Sequence, residues 1–294
     1  MKKKINAKVS LCIAMAIFGT IGIFKRNIDV SPGELALYRA ILGALLIFVY
    51  LLISKDKISF KGLKKELIVL FMSGAAMGIN WILLFEAYEY TSISNATLSY
   101  YFAPVIVTIV SPLLFKEKLT IKQIICFIMS TVGLVLITDL QGMNGNNDFV
   151  GILYGLGAAC FYATVILLNK FIKNIDGIHR TFLQFISAII VLIPYVLLTS
   201  GVSLGSLSPT GWINLLIVGL IHTGITYCMY FSSLKELPGQ KAAILSYIDP
   251  LVAVMISYFI LGEDMSVWQL IGGLLILGFT LWNEITPKKN ISTE

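Results

Sequence analysis

The sequence predicts an all-α membrane protein with ten transmembrane helices, arranged as two inverted five-helix repeats. Three observations predict it. First, 57% of the 294 residues are apolar and 13% charged, with a mean hydropathy of +0.87; soluble domains average about 45–50% and 25%. Second, one stretch occurs twice: Tyr101 and Tyr247, Pro104 and Pro250, and Glu117 and Glu263 are each separated by 146 residues. Third, the basic residues gather between alternate apolar stretches, which sets the topology.

Apolar stretches run over 7–24, 32–53, 67–90, 93–115, 120–138, 149–172, 178–200, 209–233, 239–261 and 267–283. Each is near the ~20 residues needed to cross ~30 Å of hydrocarbon. The opening Met1-Lys2-Lys3-Lys4 mimics a secretory signal but has no small-residue cleavage site, so it reads as a retained first helix. In that helix Phe18-Gly19-Thr20 match Tyr162-Ala163-Thr164 of the sixth stretch at an offset of 144. Arg39 in the second matches Gln184 in the seventh at 145, and Gly78, Trp81 and Phe85 in the third match Gly224, Tyr227 and Phe231 in the eighth at 146. The fourth and fifth stretches repeat as the ninth and tenth. The repeats are expected over residues 1–139 and 149–286.

Pro104 and Pro250 fall in the middle of the fourth and ninth stretches, each followed by a turn carrying Glu. A proline inside a soluble helix costs about 3 kcal/mol. In a membrane it is tolerated where neighbours re-satisfy the freed carbonyl along a protein-lined cavity. Breaks at corresponding places in two halves point to a transporter's binding site. Five is odd, so the second half starts on the opposite side from the first. Halves inverted in this way can exchange conformations, which gives two states open to opposite sides.

With the N-terminus in the cytoplasm, 19 of the 22 Lys and Arg residues fall on cytoplasmic segments, leaving Lys25, Arg26 and Arg39 at or near the outer side. Both termini are therefore expected in the cytoplasm. The net charge of +6 is topological and implies no nucleic-acid partner. Cys12, Cys126, Cys160 and Cys228 lie within apolar stretches without metal-ligand spacing, and read as small core residues; neither a metal nor a cofactor is expected. Gly74-x-x-x-Gly78 and Gly151-x-x-x-Gly155, and Gly272, Gly273 and Gly278, place small residues where helices can pack closely.

The doubled Pro–Glu pattern and the ten-helix count resemble the drug/metabolite transporter superfamily, in particular its EamA-type branch. The residues that carry the resemblance are Arg39, Tyr90-Thr91-Ser92-Ile93-Ser94 with Ala96, Pro104, Glu117, Gly133, Pro250, Gly262-Glu263 and Gly272, and it covers nearly the whole chain. It implies a secondary transporter in the cell (plasma) membrane, moving amino acids, amines or other small organic metabolites through a cavity between the halves, with export expected. Glu86 departs from the pattern, which has an aromatic or apolar residue there.

Asp249 stands near the middle of the ninth stretch and has apolar Ala103 as its repeat mate. A carboxylate at the bilayer centre costs roughly 2.5–3.5 kcal/mol on insertion scales and usually faces a cavity or a partner. It could bind a substrate ammonium, carry a coupling proton, or cap carbonyls freed by Pro250. Trp81 and Tyr227, with Tyr101 and Tyr247 beside the prolines, are candidates for an aromatic cavity lining able to hold an ammonium. Asn80, Glu86 and His222 are intramembrane polar candidates on the third and eighth stretches, and His222 could relay a proton. Arg39 could snorkel, pair with Glu34 or Glu86, or bind a substrate carboxylate, with pairing expected first. The rival class is an intramembrane enzyme. The protease signatures Tyr-Asp and Gly-x-Gly-Asp, the metalloprotease His-Glu-x-x-His and the ATP-binding Gly-x-x-x-x-Gly-Lys-Ser/Thr are absent from the sequence, and the hydrolase spacing Gly-x-Ser-x-Gly occurs once, as Gly201-Val202-Ser203-Leu204-Gly205 between the seventh and eighth apolar stretches. A lipid or nucleotide-sugar translocator of the same superfamily stays open and would call for a cluster of basic residues in the cavity.

Overall fold

The computed structural model describes residues 6–55, 64–115, 120–137, 146–175, 177–237 and 245–285, which form helices and turns with no strand among them. In chain order the helices are α1 (Ala7–Gly19), α2 (Ile21–Lys25), α3 (Pro32–Ser54), α4 (Lys64–Tyr90), α5 (Ile93–Tyr100), α6 (Ala103–Phe115), α7 (Ile121–Ile137), α8 (Asn146–Asn169) and α9 (Gly177–Thr199). They continue with α10 (Pro209–Leu216), a π-helical segment (Ile217–Ile225), α11 (Thr226–Glu236), α12 (Ile248–Phe259) and α13 (Val267–Ile285).

Six runs are long and apolar enough to cross a bilayer: Ala7–Lys25, Pro32–Ser54, Lys65–Tyr90, Asn147–Asn169, Gly177–Thr199 and Pro209–Tyr230. The broken pair α5–α6 and the shorter apolar helices Ile121–Leu136, Ile248–Phe259 and Val267–Asn283 fall within the remaining four apolar stretches of the sequence, each shorter than those six runs. Large apolar side chains such as Ile53, Leu198, Phe259 and Val267 are exposed around the outside. An apolar belt of that extent suits lipid, not water.

The bundle has two ends. At one, Glu66 accepts from Asn174 and Lys122 donates to the carbonyl of Trp282. At the other, Arg26 pairs with Glu263 and Thr91 donates to Asp148 at 2.8 Å. Local sequence explains several helix starts. Ser31 caps α3 in a capping box with Glu34, and Pro32 takes the first position, where its missing N–H costs nothing. Ser92 caps α5 and Ser208 caps α10 by accepting the backbone N–H three residues on, at Asn95 and Gly211.

The structure corrects the expected placement of both prolines. Pro104 is the second residue of α6 and Pro250 the third of α12, so each opens a helix instead of kinking its middle. The physical reason is the first-turn preference of a residue that has no N–H to donate. The chain turns just before, at Tyr101–Phe102 and at Tyr247. Asp249 therefore sits in a first turn, where a carboxylate meets the positive end of the helix dipole, not in mid-helix as the sequence predicts. The first and eighth stretches are also interrupted, by Thr20 between α1 and α2 and by the π-helical segment. Glu117 with its flanking lysines, and Gly239 at the expected start of the ninth helix, lie outside the described residues.

Helices in lipid gain little from hydrophobic burial and associate through close packing. The glycines mark where. A Cβ on Gly74 would strike the Gln184 carbonyl of α9, one on Gly151 would lie 2.6 Å from Thr91, and one on Gly155 would lie 2.8 Å from Ser99. Gly133 of α7 meets the Gly272 carbonyl of α13 at 2.6 Å on the same construction, whereas Gly278 faces open space. The largest core lies where α3, α4 and α9 meet, around Leu35, Ile47, Phe85, Phe185 and Leu192. Of the four cysteines, all free, Cys126 is buried, Cys12 and Cys228 are half-buried and Cys160 is exposed. The core reading fails for Cys160, a small apolar residue on the outward face of α8.

Candidate functional site

A cavity of about 400 Å³ lies inside the bundle, within the range of small-molecule sites. Residues from both halves of the sequence line it, and several do so in repeat-matched pairs: Phe18 with Tyr162, Arg39 with Gln184, Trp81 with Tyr227, and Tyr101 with Tyr247. Asn80, Pro104 and Asp249 complete the expected residues found in the lining.

The two broken regions meet across the cavity. The Tyr101 hydroxyl, at the turn between α5 and α6, donates to Oδ2 of Asp249 at 2.5 Å. A proton held on that short path orients the carboxylate while leaving its other oxygen for a ligand. Asp249 is half-buried, as a cavity-facing group should be. Aromatic rings form the walls. Tyr100 stacks on Tyr162 with centroids 5.1 Å apart and meets Tyr101 edge-on at 5.7 Å. Tyr227 meets Phe18 at 5.1 Å and Phe185 at 5.4 Å, and Trp81 meets Phe185 at 5.6 Å, all edge-to-face. The rings stand among aliphatic side chains such as Met77, Leu84 and Val165, which also line the cavity.

Arg39, 3% exposed on α3, donates from Nε to Thr223 Oγ1 at 3.0 Å. Its guanidinium lies over the Trp81 ring at 4.4 Å and the Phe85 ring at 5.3 Å. The expected pairing with Glu34 or Glu86 does not form. Glu34 is occupied by Tyr38, by Ser31 and by the Ser203 backbone and hydroxyl. Glu86 faces elsewhere on α4, half-buried and outside the cavity lining. Gln184, the repeat mate of Arg39, donates to Ser73 at 2.7 Å and to Asn169 at 2.9 Å.

Three expected site residues have structural settings instead. His222 lies outside the lining; its Nε2 shares a 2.8 Å hydrogen bond with Thr20 Oγ1, and its ring packs on Phe24. It braces the break between α1 and α2. Asn80 touches the cavity, but its amide donates to the Ala158 carbonyl at 2.6 Å and ties α4 to α8. Pro250 is buried behind Asp249. Sequence reasoning passed over Tyr88, Thr97, Tyr100 and Asn169, which also line the cavity. Tyr101 carried the repeat signal, and a search one helical turn before it would have reached Thr97 and Tyr100, while Tyr88 and Asn169 lie more than a dozen positions from Tyr101 and Gln184.

The model of the EamA-like transporter family matches the chain twice, over residues 7–139 and 149–283. The uncharacterized transporter YxxF of Bacillus subtilis is 31% identical over 277 residues, covering 94% of this chain and 88% of that one. An uncharacterized transporter of Archaeoglobus fulgidus is 25% identical over 283 residues, covering 94% and 96%. A solved crystal structure superposes with a TM-score of 0.63 at 16% identity, covering 93% of this chain and 95% of that one, which shows a shared fold. The apolar helices and these matches identify a multi-pass membrane transporter rather than an enzyme: the chain belongs to the EamA-like transporter family.

Proposed function

We propose that the protein is a secondary carrier that exports small organic metabolites, such as amino acids or amines, across the cell (plasma) membrane by alternating access. In this reading ten transmembrane helices form two inverted repeats, residues 1–139 and 149–286, with both termini in the cytoplasm. One observation carries it: the cavity is lined by repeat-matched pairs from the two halves. Helix packing supports the same exchange. α4 packs on α8 as α1 packs on α11, and α5 packs on α8 as α1 packs on α12, which are the pairings that swapping the halves requires.

Asp249, Tyr101, Tyr247, Trp81 and Tyr227 are the residues we assign to the substrate, with Asp249 receiving an ammonium or a coupling proton. A carboxylate among aromatic faces suits a cationic nitrogen. Arg39 is the one Lys or Arg among the described lining residues, so a nucleotide sugar or lipid phosphate would find no basic cluster. The test is uptake and counterflow in proteoliposomes against a panel of amino acids and amines, with and without a pH gradient. Substrate-dependent counterflow is the expected result. Absence of flux for the whole panel, together with chemical turnover in detergent, would return the enzyme reading.

A further inference from the structure

Arg39 is a buried charge without a carboxylate partner among the described residues. Among the described residues the ion pairs are Lys25–Glu89 and Arg26–Glu263, both at the Glu263 end of the bundle. No described carboxylate pairs with Arg39, although it is 3% exposed and sits about two turns inside α3. A guanidinium stays protonated under all ordinary conditions, and leaving it unpaired in a low-dielectric interior is costly. Intramembrane charges kept at such a cost mark substrate or ion pathways.

Its surroundings fix which edge is available. The Nε side is taken by Thr223. Thr223 gives its own proton to the Val218 carbonyl at 2.9 Å, five residues back along the π-helical segment, so its oxygen is left to accept from Arg39. The Trp81 and Phe85 rings pack on the guanidinium carbon at 4.4 and 5.3 Å. The edge bearing Nη1 and Nη2 has no hydrogen-bond partner among the described residues, and Arg39 lines the cavity. Two parallel N–H donors on a rigid planar edge match the two oxygens of a carboxylate.

We propose that the Nη edge of Arg39 is the docking point for a carboxylate on the transported solute, and that Thr223, held by the π-helical segment, is its positioning residue. The inference rests on the carrier reading above and narrows it, from amino acids or amines to solutes that carry a free carboxylate. Asp249, in the same cavity, then meets a cationic nitrogen where the solute has one. The π-helical segment acquires a purpose here: its wider turn lets the Thr223 hydroxyl reach the carbonyl five residues back, which aims the oxygen at Arg39.

The experiment uses side-chain-matched pairs, phenylalanine with phenethylamine and leucine with isoamylamine, as competitors and counterflow substrates in proteoliposomes. The parent protein should prefer the acid of each pair by roughly 10- to 100-fold in apparent affinity, the scale of a charge-assisted bidentate contact. Arg39→Gln should bring that ratio near one, and Arg39→Lys should restore only part of it, because a point charge lacks the fork. Thr223→Val should reduce the ratio several-fold and Thr223→Ser should restore it. Ligand-induced thermal stabilisation in detergent gives a second readout for any variant that transports poorly. A parent that moves none of the panel would remove the carrier reading, and this proposal with it. A parent that moves acids and amines equally, with a ratio Arg39→Gln does not change, would overturn the carboxylate site and leave the carrier reading standing. If the Arg39→Gln defect instead tracked chloride concentration, whatever the solute carried, the site would belong to an inorganic anion and the proposal would fall.

Discussion

Asp249 and Tyr101 make the contact on which transport chemistry can be tested most directly. The hydroxyl donates to the carboxylate at 2.5 Å from the opposite half of the sequence, so it links the two broken regions as well as orienting a charge. Tyr101→Phe keeps the ring and removes the donor. A hydrogen bond to a charged group is worth about 1.5–3 kcal/mol, so apparent substrate affinity should fall roughly ten-fold or more while expression stays at the parent level. Unchanged affinity would mean that Tyr101 serves only to pack against Tyr100. Asp249→Asn separates the two roles open to the carboxylate. If Asp249 binds an ammonium, KM should rise and accumulation driven by a pH gradient should persist. If it carries a coupling proton, accumulation should be lost while substrate-for-substrate exchange continues. A variant matching the parent in both would leave Asp249 as a cap beside Pro250. Residue types and repeat spacing made Tyr101, Tyr247, Trp81 and Asp249 legible in the sequence. Arg39 was legible as a charge but not as an unpaired one, because the acids that could have paired with it are committed only in three dimensions, Glu34 by Ser203 from the α9–α10 connection.

At the scale of elements, the Glu263 end of the bundle is tied by charge. Glu263 pairs with Arg26 next to α2, accepts from Ser257 of α12, and accepts the Ile93 N–H at the start of α5 at 3.0 Å. Lys25 pairs with Glu89 at the end of α4. One carboxylate thus holds three elements together, and the cavity residue Thr97 lies about one turn inside α5. Glu263→Gln weakens the hold on Arg26 and on the Ile93 N–H together. Thr97→Cys in that background should be labelled several-fold faster by an impermeant maleimide applied from the Glu263 side than in the parent background. Equal labelling rates would show that this network does not limit access to the cavity. The second Pro–Glu pattern brought Glu263 to notice from sequence alone. Its partners were not legible, because Arg26 and Ile93 come from distant parts of the chain and only folding brings them to one carboxylate. The π-helical segment was also hidden, since its composition is that of an ordinary apolar helix.

Over the whole molecule, the polarity of charge and the parity of the repeats make a joint statement that one labelling experiment can test. Lys8, Lys55, Lys65, Lys122, Lys170, Lys173 and Arg180 all lie at the Glu66 end of the bundle, and Lys25 and Arg26 at the other. Membrane insertion retains Lys and Arg on the cytoplasmic side, so the Glu66 end should face the cytoplasm. The exposed Ser206, between α9 and α10, belongs to the opposite end, since Ser31 at the start of α3 donates to Ser200 in the same connection at 2.8 Å. In the proposed arrangement an odd number of crossings in each half turns this one-sided charge into inverted repeats: with four or six, the halves would be parallel and could not exchange conformations to open opposite sides. Single cysteines at Lys173 and Ser206, in a background with Cys12, Cys126, Cys160 and Cys228 replaced, read both ideas at once. In intact cells an impermeant maleimide should label Ser206→Cys and spare Lys173→Cys until the cells are opened. If both were labelled from the outside, the number of crossings between them would be even, α9 would not span the membrane, and the inverted-repeat reading would fail with it.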